Sequence, residues 1–335
     1  MEKLLIPYAE MKETLSRILL RYGFTPEKAE KCAAVFAESS LDGVYSHGAN
    51  RFPRFIRYIQ KGYVLPDAEP SLIHRFGMME QWNGHLGPGP LNAFNAADRA
   101  MELAGEYGMG LVALANTNHW MRGGTYGWYA ARKGFFFLGW TNTTPNMPAW
   151  GGKDPRLGNN PFVMAVPYGD SALVLDMALS QYSFGKMEEK QLSGEKLPTS
   201  GGYDREGNLT DDPGKILESW RSLPVGYWKG AAFSFMLDVF AALLSGGLST
   251  AAIGKMADEI GVSQVFIAID PTKLSNFPSM KQNIDAIVED LKKSVPVEDG
   301  VSVRYPGERV VKTREENQRN GIPVNKAVWE EILSL

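Results

Sequence analysis

The chain has 335 residues, 44% of them apolar and 22% charged, with a formal net charge of −3, a soluble globular composition with enough material for two subdomains. The small net charge and the lack of a long basic run argue against a nucleic-acid partner. The longest strongly apolar stretch, 231–244, is broken by Ser234 and Asp238 and is too short to cross a bilayer, so no membrane partner is expected.

Residues 1–7, Met-Glu-Lys-Leu-Leu-Ile-Pro, lack the apolar core and cleavage site of a secretory leader, and the single cysteine, Cys32, has no internal disulfide partner. Both fit the cytoplasm. From 8 to 42 the pattern predicts two helices, the first with Met11, Leu15, Ile18 and Leu19 on one face. The second opens at Thr25-Pro26, a cap followed by a first-turn proline, with Ala29, Cys32, Ala33 and Phe36 on its inner face. Residues 52–63 continue with Phe55, Ile56 and Ile59 and stop near Gly62. A helix is expected over 91–107, then a buried strand over 110–114, a helix over 126–133 and a strand over 135–140. Further strands are expected at 161–166, 172–177 and 264–269. Residues 183–214 are polar and glycine-rich and read as a long excursion with little regular structure. Two helices are expected at 228–246 and 250–260, then a turn at Pro306-Gly307-Glu308-Arg309. A last helix from about Asn325 is expected to dock on the N-terminal pair. Helices between strands imply an α/β fold with a sheet covered on both faces.

The richest stretch is 45–54, Tyr-Ser-His-Gly-Ala-Asn-Arg-Phe-Pro-Arg. His47 titrates near neutrality and can hand a proton to a developing alkoxide. Arg51, one helical turn on, can grip a carboxylate in bidentate fashion. The pair suits an enzyme that interconverts an α-keto acid and a hydroxy acid. A surface histidine beside a salt-bridged arginine is the alternative. His119 follows a buried strand at its C-terminal end, where open α/β sheets bind ligands. It is equally readable as a histidine satisfied by backbone. His74 and His85 read as surface residues.

Other motifs fail. Gly-x-Gly-x-x-Gly between strand and helix is absent: the nearest string, from Gly108, follows a helix and opens a strand. Neither a Walker loop nor a metal-ligand spacing is present, and Asp204-Arg205-Glu206-Gly207-Asn208 departs from a calcium loop. Lys229, before the long apolar helix, stands where the helix dipole disfavours a merely structural cation, and a ligand phosphate there would be held by lysine and helix amides together.

Tyr45-Ser46-His47-Gly48, Asn118-His119, Gly158-Asn159-Asn160-Pro161, Leu175-Asp176-Met177-Ala178, Gly207-Asn208-Leu209-Thr210, Lys229-Gly230 and Pro306-Gly307-Glu308 occur in an order that resembles the malate/L-lactate dehydrogenase family of NAD(P)-dependent oxidoreductases. The resemblance covers nearly the whole chain. Residues 44–55, 119–124 and 226–230 are most similar to the branch that reduces a diketo sugar acid. Many members carry Lys-Gly-Tyr-Gly where this chain has Lys229-Gly230-Ala231-Ala232.

The resemblance implies a non-Rossmann nucleotide-binding domain, with a mixed sheet covered by helices, over 76–304. It also implies a helical domain over 1–75, joined by the tail from about 305 to 335. It implies a homodimer with NADH along an extended cleft, His47 as proton donor, and Arg51 and His119 close to a small keto acid substrate. Ala172, Leu173, Val174, Leu175, Asp176, Met177, Ala178, Trp228, Lys229, Gly307, Glu308 and Arg309 are implied to contact the cofactor, with Asp176 alternatively orienting a catalytic group. Some members of the branch have histidine at the position of Glu308. A carboxylate there accepts a ribose hydroxyl and repels a 2′-phosphate, which favours NADH over NADPH. Malate, lactate, ureidoglycolate and cyclic imino acids are the alternative substrates within the family. A binding protein without turnover is the alternative outside it.

Overall fold

Two helices and a returning tail build the first core. In the computed structural model, which describes residues 2–298 and 300–335, α1 (Tyr8–Arg21) and α2 (Pro26–Leu41) pack Met11, Leu15, Ile18 and Leu19 against Ala29, Cys32, Ala33 and Phe36, all buried. The Thr25 side chain accepts the Lys28 amide at 3.4 Å and caps α2, with Pro26 in the first turn as expected. Strand β1 (Lys3–Ile6) pairs antiparallel with β13 (Ile322–Asn325), and α12 (Lys326–Ser334) adds Trp329 and Ile332 to the same core. The tail therefore docks on the N-terminal helices.

After α2 the chain makes two short 3₁₀ turns, Tyr45–His47 and Ala49–Arg51, and enters α3 (Phe52–Gln60). Gly48 is the joint between them. A Cβ there would lie 2.0 Å from Ser40 Oγ and 2.8 Å from both Phe36 O and Ser40 N, so only glycine lets the turn lie on α2. Ser40 Oγ completes the contact by accepting the Ala49 amide at 2.8 Å. Gly48→Ala is expected to lower the thermal midpoint and activity together, because α2 or the His47 turn must move; an unchanged midpoint would refute this tight seat.

The second body is a seven-stranded sheet in the order β2 (Ser71–Phe76), β3 (Met79–Asn83), β4 (Met109–Thr117), β12 (Val262–Ile269), β5 (Phe136–Thr141), β8 (Phe162–Tyr168), β9 (Ser171–Met177). Only β3 and β4 run parallel, so the sheet is mixed, as expected. Central β12 is almost wholly buried, which accounts for its near-continuous apolar run. One sheet face carries α4 (Gly89–Tyr107) and α5 (Gly124–Arg132). The alanines at 93, 96, 97, 100 and 104 bring α4 so close that a Cβ on Gly110 would sit 2.2 Å from Ala100 O. The other face carries α8 (Trp228–Ser245), whose Leu237 and Ala241 are buried and whose Leu237 carbonyl accepts Trp140 Nε1 at 3.1 Å. By length and composition alone α8 could span a membrane, with mean hydropathy 1.3 over 18 residues, although its Leu237/Ala241 face is spent on the sheet.

Two expectations are corrected. The segment 183–214 is not irregular. It contains α6 (Phe184–Leu192), a hairpin of β10 (Gly202–Tyr203) with β11 (Leu209–Thr210), and the start of α7 (Pro213–Ser219). Ser183 caps α6 and Asp212 caps α7, and Met187, Leu197 and Ile216 make a small core between them. Met187 and Leu197, two core side chains in about thirty mostly polar residues, are too sparse to show a period. The helix expected at 250–260 is only α9 (Thr250–Ile253), a single turn after the Ser249 cap. Missed altogether were β1, β2, β3, β13, α10 (Phe277–Lys292) and α11 (Glu308–Asn320). The short hairpin of β6 (Met147–Pro148) with β7 (Pro155–Leu157) completes the described elements.

Candidate active site

The two bodies meet at the His47 turn. His47 is partly buried, with its Nδ1 3.1 Å from Ser46 Oγ. His119, on the loop after β4, stacks on it with ring centroids 5.6 Å apart and planes at 23°. That loop is pinned by Asn118, whose side-chain amide donates to Tyr63 O, Leu86 O and Gly87 O at 3.0, 2.9 and 3.1 Å. Asn116 and Met121 flank it in left-handed conformations, at φ of 52° and 66°. Such backbone, uncommon for residues other than glycine, is held only where the surroundings over-determine it. The Met121 amide donates to His119 Nδ1 at 2.9 Å, so that nitrogen carries no proton and the neutral ring keeps its hydrogen on Nε2.

Arg51 lines a small cavity together with Arg54, Phe55, Tyr58, Asn118 and His119. Arg54 donates to Tyr58 Oη at 3.0 Å, and Tyr58 donates on to Asp258 at 3.3 Å. Among the described residues no carboxylate lies within ion-pair distance of Arg51. Burial, and then Arg54, lower its pKa, while Glu259 and Glu188 oppose the shift from farther off. A partly buried guanidinium beside a second one and without a counter-ion is a site for an anion. Helix α6 roofs this corner: a Cβ on Gly185 would lie 2.3 Å from Ser46 Cβ.

Burial, then the cations of Arg51 and Arg122, lower His47 to about 3, and burial with Arg51 pushes His119 well below the ordinary value of 6.5. Both rings are therefore neutral in the native protein at neutral pH. An unfolded chain binds protons at these positions below about 6.5 and the native one does not, so this contribution to stability is full above 6.5 and fades as pH falls toward 3. The thermal midpoint is expected to drop over that window, and His119→Gln to blunt the drop. An equally steep fall in the variant would remove His119 as a source.

The residues expected at the cofactor converge along β9, the last strand of the sheet. The Val174 amide points away from β8 and donates to Pro306 O at 3.0 Å. By strand alternation the backbone groups of Ala172 and Asp176 face the same open edge. Gly307, with φ of 93°, lies against that edge: a Cβ would come within 3.1 Å of Val174 N and 3.2 Å of the Trp128 ring. Glu308 and Arg309 begin α11 directly after it. Trp128 is buried with its indole N–H unpartnered among the described residues. At the strand's far end Val225 N donates to Leu179 O and Gln181 N to Leu223 O, 2.8 and 2.7 Å. These bonds bring Trp228 and Lys229, both exposed at the start of α8, toward Met177 and Ala178. Lys229 has no acidic partner within ion-pair distance among the described residues. An open strand edge, a glycine cradle, two helix starts and a free cation are a chemistry that fits an extended dinucleotide. Glu308 is not free: Lys292 Nζ reaches its Oε2 at 2.6 Å and its Oε1 as well, so its charge is already balanced.

Sequence reasoning passed over Asp42, Arg122 and Arg314. Asp176 Oδ2 accepts the Gly124 amide at 3.0 Å and lies 3.4 Å from Arg122 Nε; Arg122 also pairs with Asp42, whose other oxygen takes Arg314 Nε at 2.5 Å. One signal was legible. Asp42 stands at the C-terminus of α2, where the helix dipole disfavours a carboxylate, so a cation had to be nearby.

The family profile for malate/L-lactate dehydrogenase matches residues 6–333. The 2,3-diketo-L-gulonate reductase of Citrobacter koseri is 44% identical over 331 residues, 98% of this chain and 99% of that protein. Among solved structures, malate dehydrogenase from Entamoeba histolytica superposes with a TM-score of 0.94 at 24% identity, covering 99% of this chain and 98% of that one, a likeness of fold. A putative malate/lactate dehydrogenase from E. coli gives 0.92 at 27% identity, covering 98% and 93%.

Proposed function

We propose, for a chain that belongs to the malate/L-lactate dehydrogenase family and is an oxidoreductase acting on CH–OH groups with a nicotinamide cofactor, NADH-dependent reduction of 2,3-diketo-L-gulonate to 3-keto-L-gulonate. The observation that carries this reading is Arg51, a partly buried guanidinium with no carboxylate within ion-pair distance among the described residues, in one cavity with His119, on whose ring His47 stacks. The C1 carboxylate of the substrate sits on Arg51. The carbonyl to be reduced then faces His47. Bound nicotinamide supplies the hydride. His47 delivers a proton to the oxygen as its negative charge develops, and His119, whose Nε2 carries the hydrogen, donates a bond to the same region of the substrate.

His47 must be charged to do this. In the unliganded site two arginines oppose protonation. The substrate carboxylate neutralises Arg51, so substrate binding is expected to take up a proton. Calorimetry in buffers of different ionisation enthalpy measures this directly; binding without proton uptake would mean that the acid is not His47. The cofactor lies along the β9 edge with its phosphates toward Lys229 and the start of α11. NADH is favoured over NADPH, since the Glu308 carboxylate, held in place by Lys292, can accept a ribose hydroxyl but not a 2′-phosphate.

The outer face of α8 exposes Phe235, Met236, Phe240 and Leu243 at 55, 46, 49 and 74%. We assign its cover to a second copy of the chain in a homodimer, since a contiguous apolar face of this size marks an interface. Leu243→Glu is expected to shift the sedimentation coefficient from dimer to monomer. A monomeric parent at micromolar concentration would refute the assignment. The test of function is loss of NADH absorbance with 2,3-diketo-L-gulonate, pyruvate, oxaloacetate and ureidoglycolate side by side. Turnover with the diketo acid alone supports the reading, and turnover only with another acid keeps the family chemistry but replaces the substrate.

A further inference from the structure

A row of alternating charges runs through the protein beside the active site. Glu38 on α2 lies 3.6 Å from Arg314 on α11; Arg314 binds Asp42 at the end of α2; Asp42 binds Arg122; and Arg122 Nε stands 3.4 Å from Asp176 on β9. The side chains of Arg122 and Asp42 are 4 and 3% exposed. Ion pairs buried this deeply lose so much hydration that they are weak stabilisers, and apolar side chains of similar size often serve the fold as well. Stability alone therefore does not explain them.

Position does. The row ties together the segments that make the site: α2, which delivers the His47 turn, the His119 loop, and the β9–α11 edge. Arg122 is its central member. It holds Asp42 on one side, while toward Asp176 its Nε is buried and makes no hydrogen bond among the described residues. Asp176 is fixed instead by the Gly124 amide. We propose that Arg122 is a positioning residue. It locks the cofactor edge to the catalytic turn and sets a fixed cation three residues beyond the His119 ring that stacks on His47. The inference rests on the proposed role of His47 as proton donor.

The groups around His47 allow a signed test. Arg51 comes from the next turn, Arg122 and His119 from the loop after β4, and Ser46 from its own turn. From the roof, α6, Glu188 acts on Arg51 and Glu189 on Tyr45. No carboxylate lies within ion-pair distance of His47 among the described residues. Once a substrate carboxylate occupies Arg51, Arg122 is the remaining cation. Removing it makes His47 easier to protonate. Removing its partner Asp42 leaves the cation less balanced and makes His47 harder to protonate.

Two readouts separate positioning from mere structure. In the unliganded protein, ¹³C-labelled imidazoles are titrated by NMR; only four histidines contribute, and His47→Gln assigns the signal. In the assay, the pH at which the reduction rate falls on the alkaline side is followed. Arg122→Gln is expected to move both upward by on the order of one pH unit. Asp42→Asn is expected to move the alkaline limb downward. Arg122→Lys should keep the limb near that of the parent with a lower rate, since a point charge does not span two carboxylates. Shifts of the same sign in Arg122→Gln and Asp42→Asn, or lost rate with an unmoved limb in Arg122→Gln, would overturn the proposal. If Arg122→Gln does not fold, the downward shift in Asp42→Asn decides. Full turnover in His47→Gln would instead sink the underlying reading, whatever Arg122 does.

Discussion

His47→Ala is expected to lower the rate of keto-acid reduction by about 10²–10⁴-fold, the usual worth of a positioned general acid, with NADH binding little changed. The separation of effects follows from the geometry. His47 sits on a 3₁₀ turn against α2, touching Ser46 and the His119 ring, whereas the proposed cofactor edge is built from β9, α11 and the start of α8. The fold has little to lose, because the residue is partly exposed and, among the described residues, its side chain bonds to Ser46 alone. Stopped-flow measurement of the hydride step, beside fluorescence titration with NADH, checks both halves. A variant that turns over normally would remove His47 from the chemistry, and one that no longer binds NADH would make it a cofactor residue.

Arg51→Met is expected to lower kcat/KM by roughly 10²-fold or more, since losing one partner of a desolvated charge pair costs about 2–5 kcal/mol. The loss should be larger for keto acids than for keto esters of the same shape, which lack the carboxylate. The variant should also be at least as stable as the parent. Arg51 is a partly buried cation beside Arg54, with no carboxylate within ion-pair distance among the described residues, so the unliganded protein bears an uncompensated charge. Substrate affinity bought at the expense of stability is the signature sought. Thermal melts with and without substrate read it: higher stability alone, lost activity and no discrimination between acid and ester confirm the role. A less stable variant that still distinguishes acid from ester would assign Arg51 to the scaffold.

Some of this architecture was plain in the amino-acid order. Helices α1, α2, α4 and α8 and strands β4, β5, β8, β9 and β12 all fall where the spacing of apolar residues and the cap at Thr25 put them. The elements that were missed share a cause. All six residues of β2 are exposed, so no alternation marks it, and α11 carries charges on nearly every turn with Asn317 its only buried residue. Such segments owe their form to a neighbour rather than to their own pattern.

Residue chemistry settled which side chains are able to act: a histidine that titrates near neutrality, an arginine fitted to a carboxylate, a lysine before a helix. These properties belong to the side chains and to short spacings, so they survive without a fold. What they meet does not. His119 reads as a ligand or as a backbone-satisfied ring until β4 and the pinned loop lay it over His47, where its Nδ1 takes the Met121 amide while the ring still lines the cavity. Asp42, Arg122 and Asp176 are separated by 80 and 54 positions, with Arg314 farther still, and no local pattern can pair them. Their charges, and the low proton affinity of His47 among them, exist only because tertiary packing removes water and brings distant segments together, where fields that solvent would screen act at full strength.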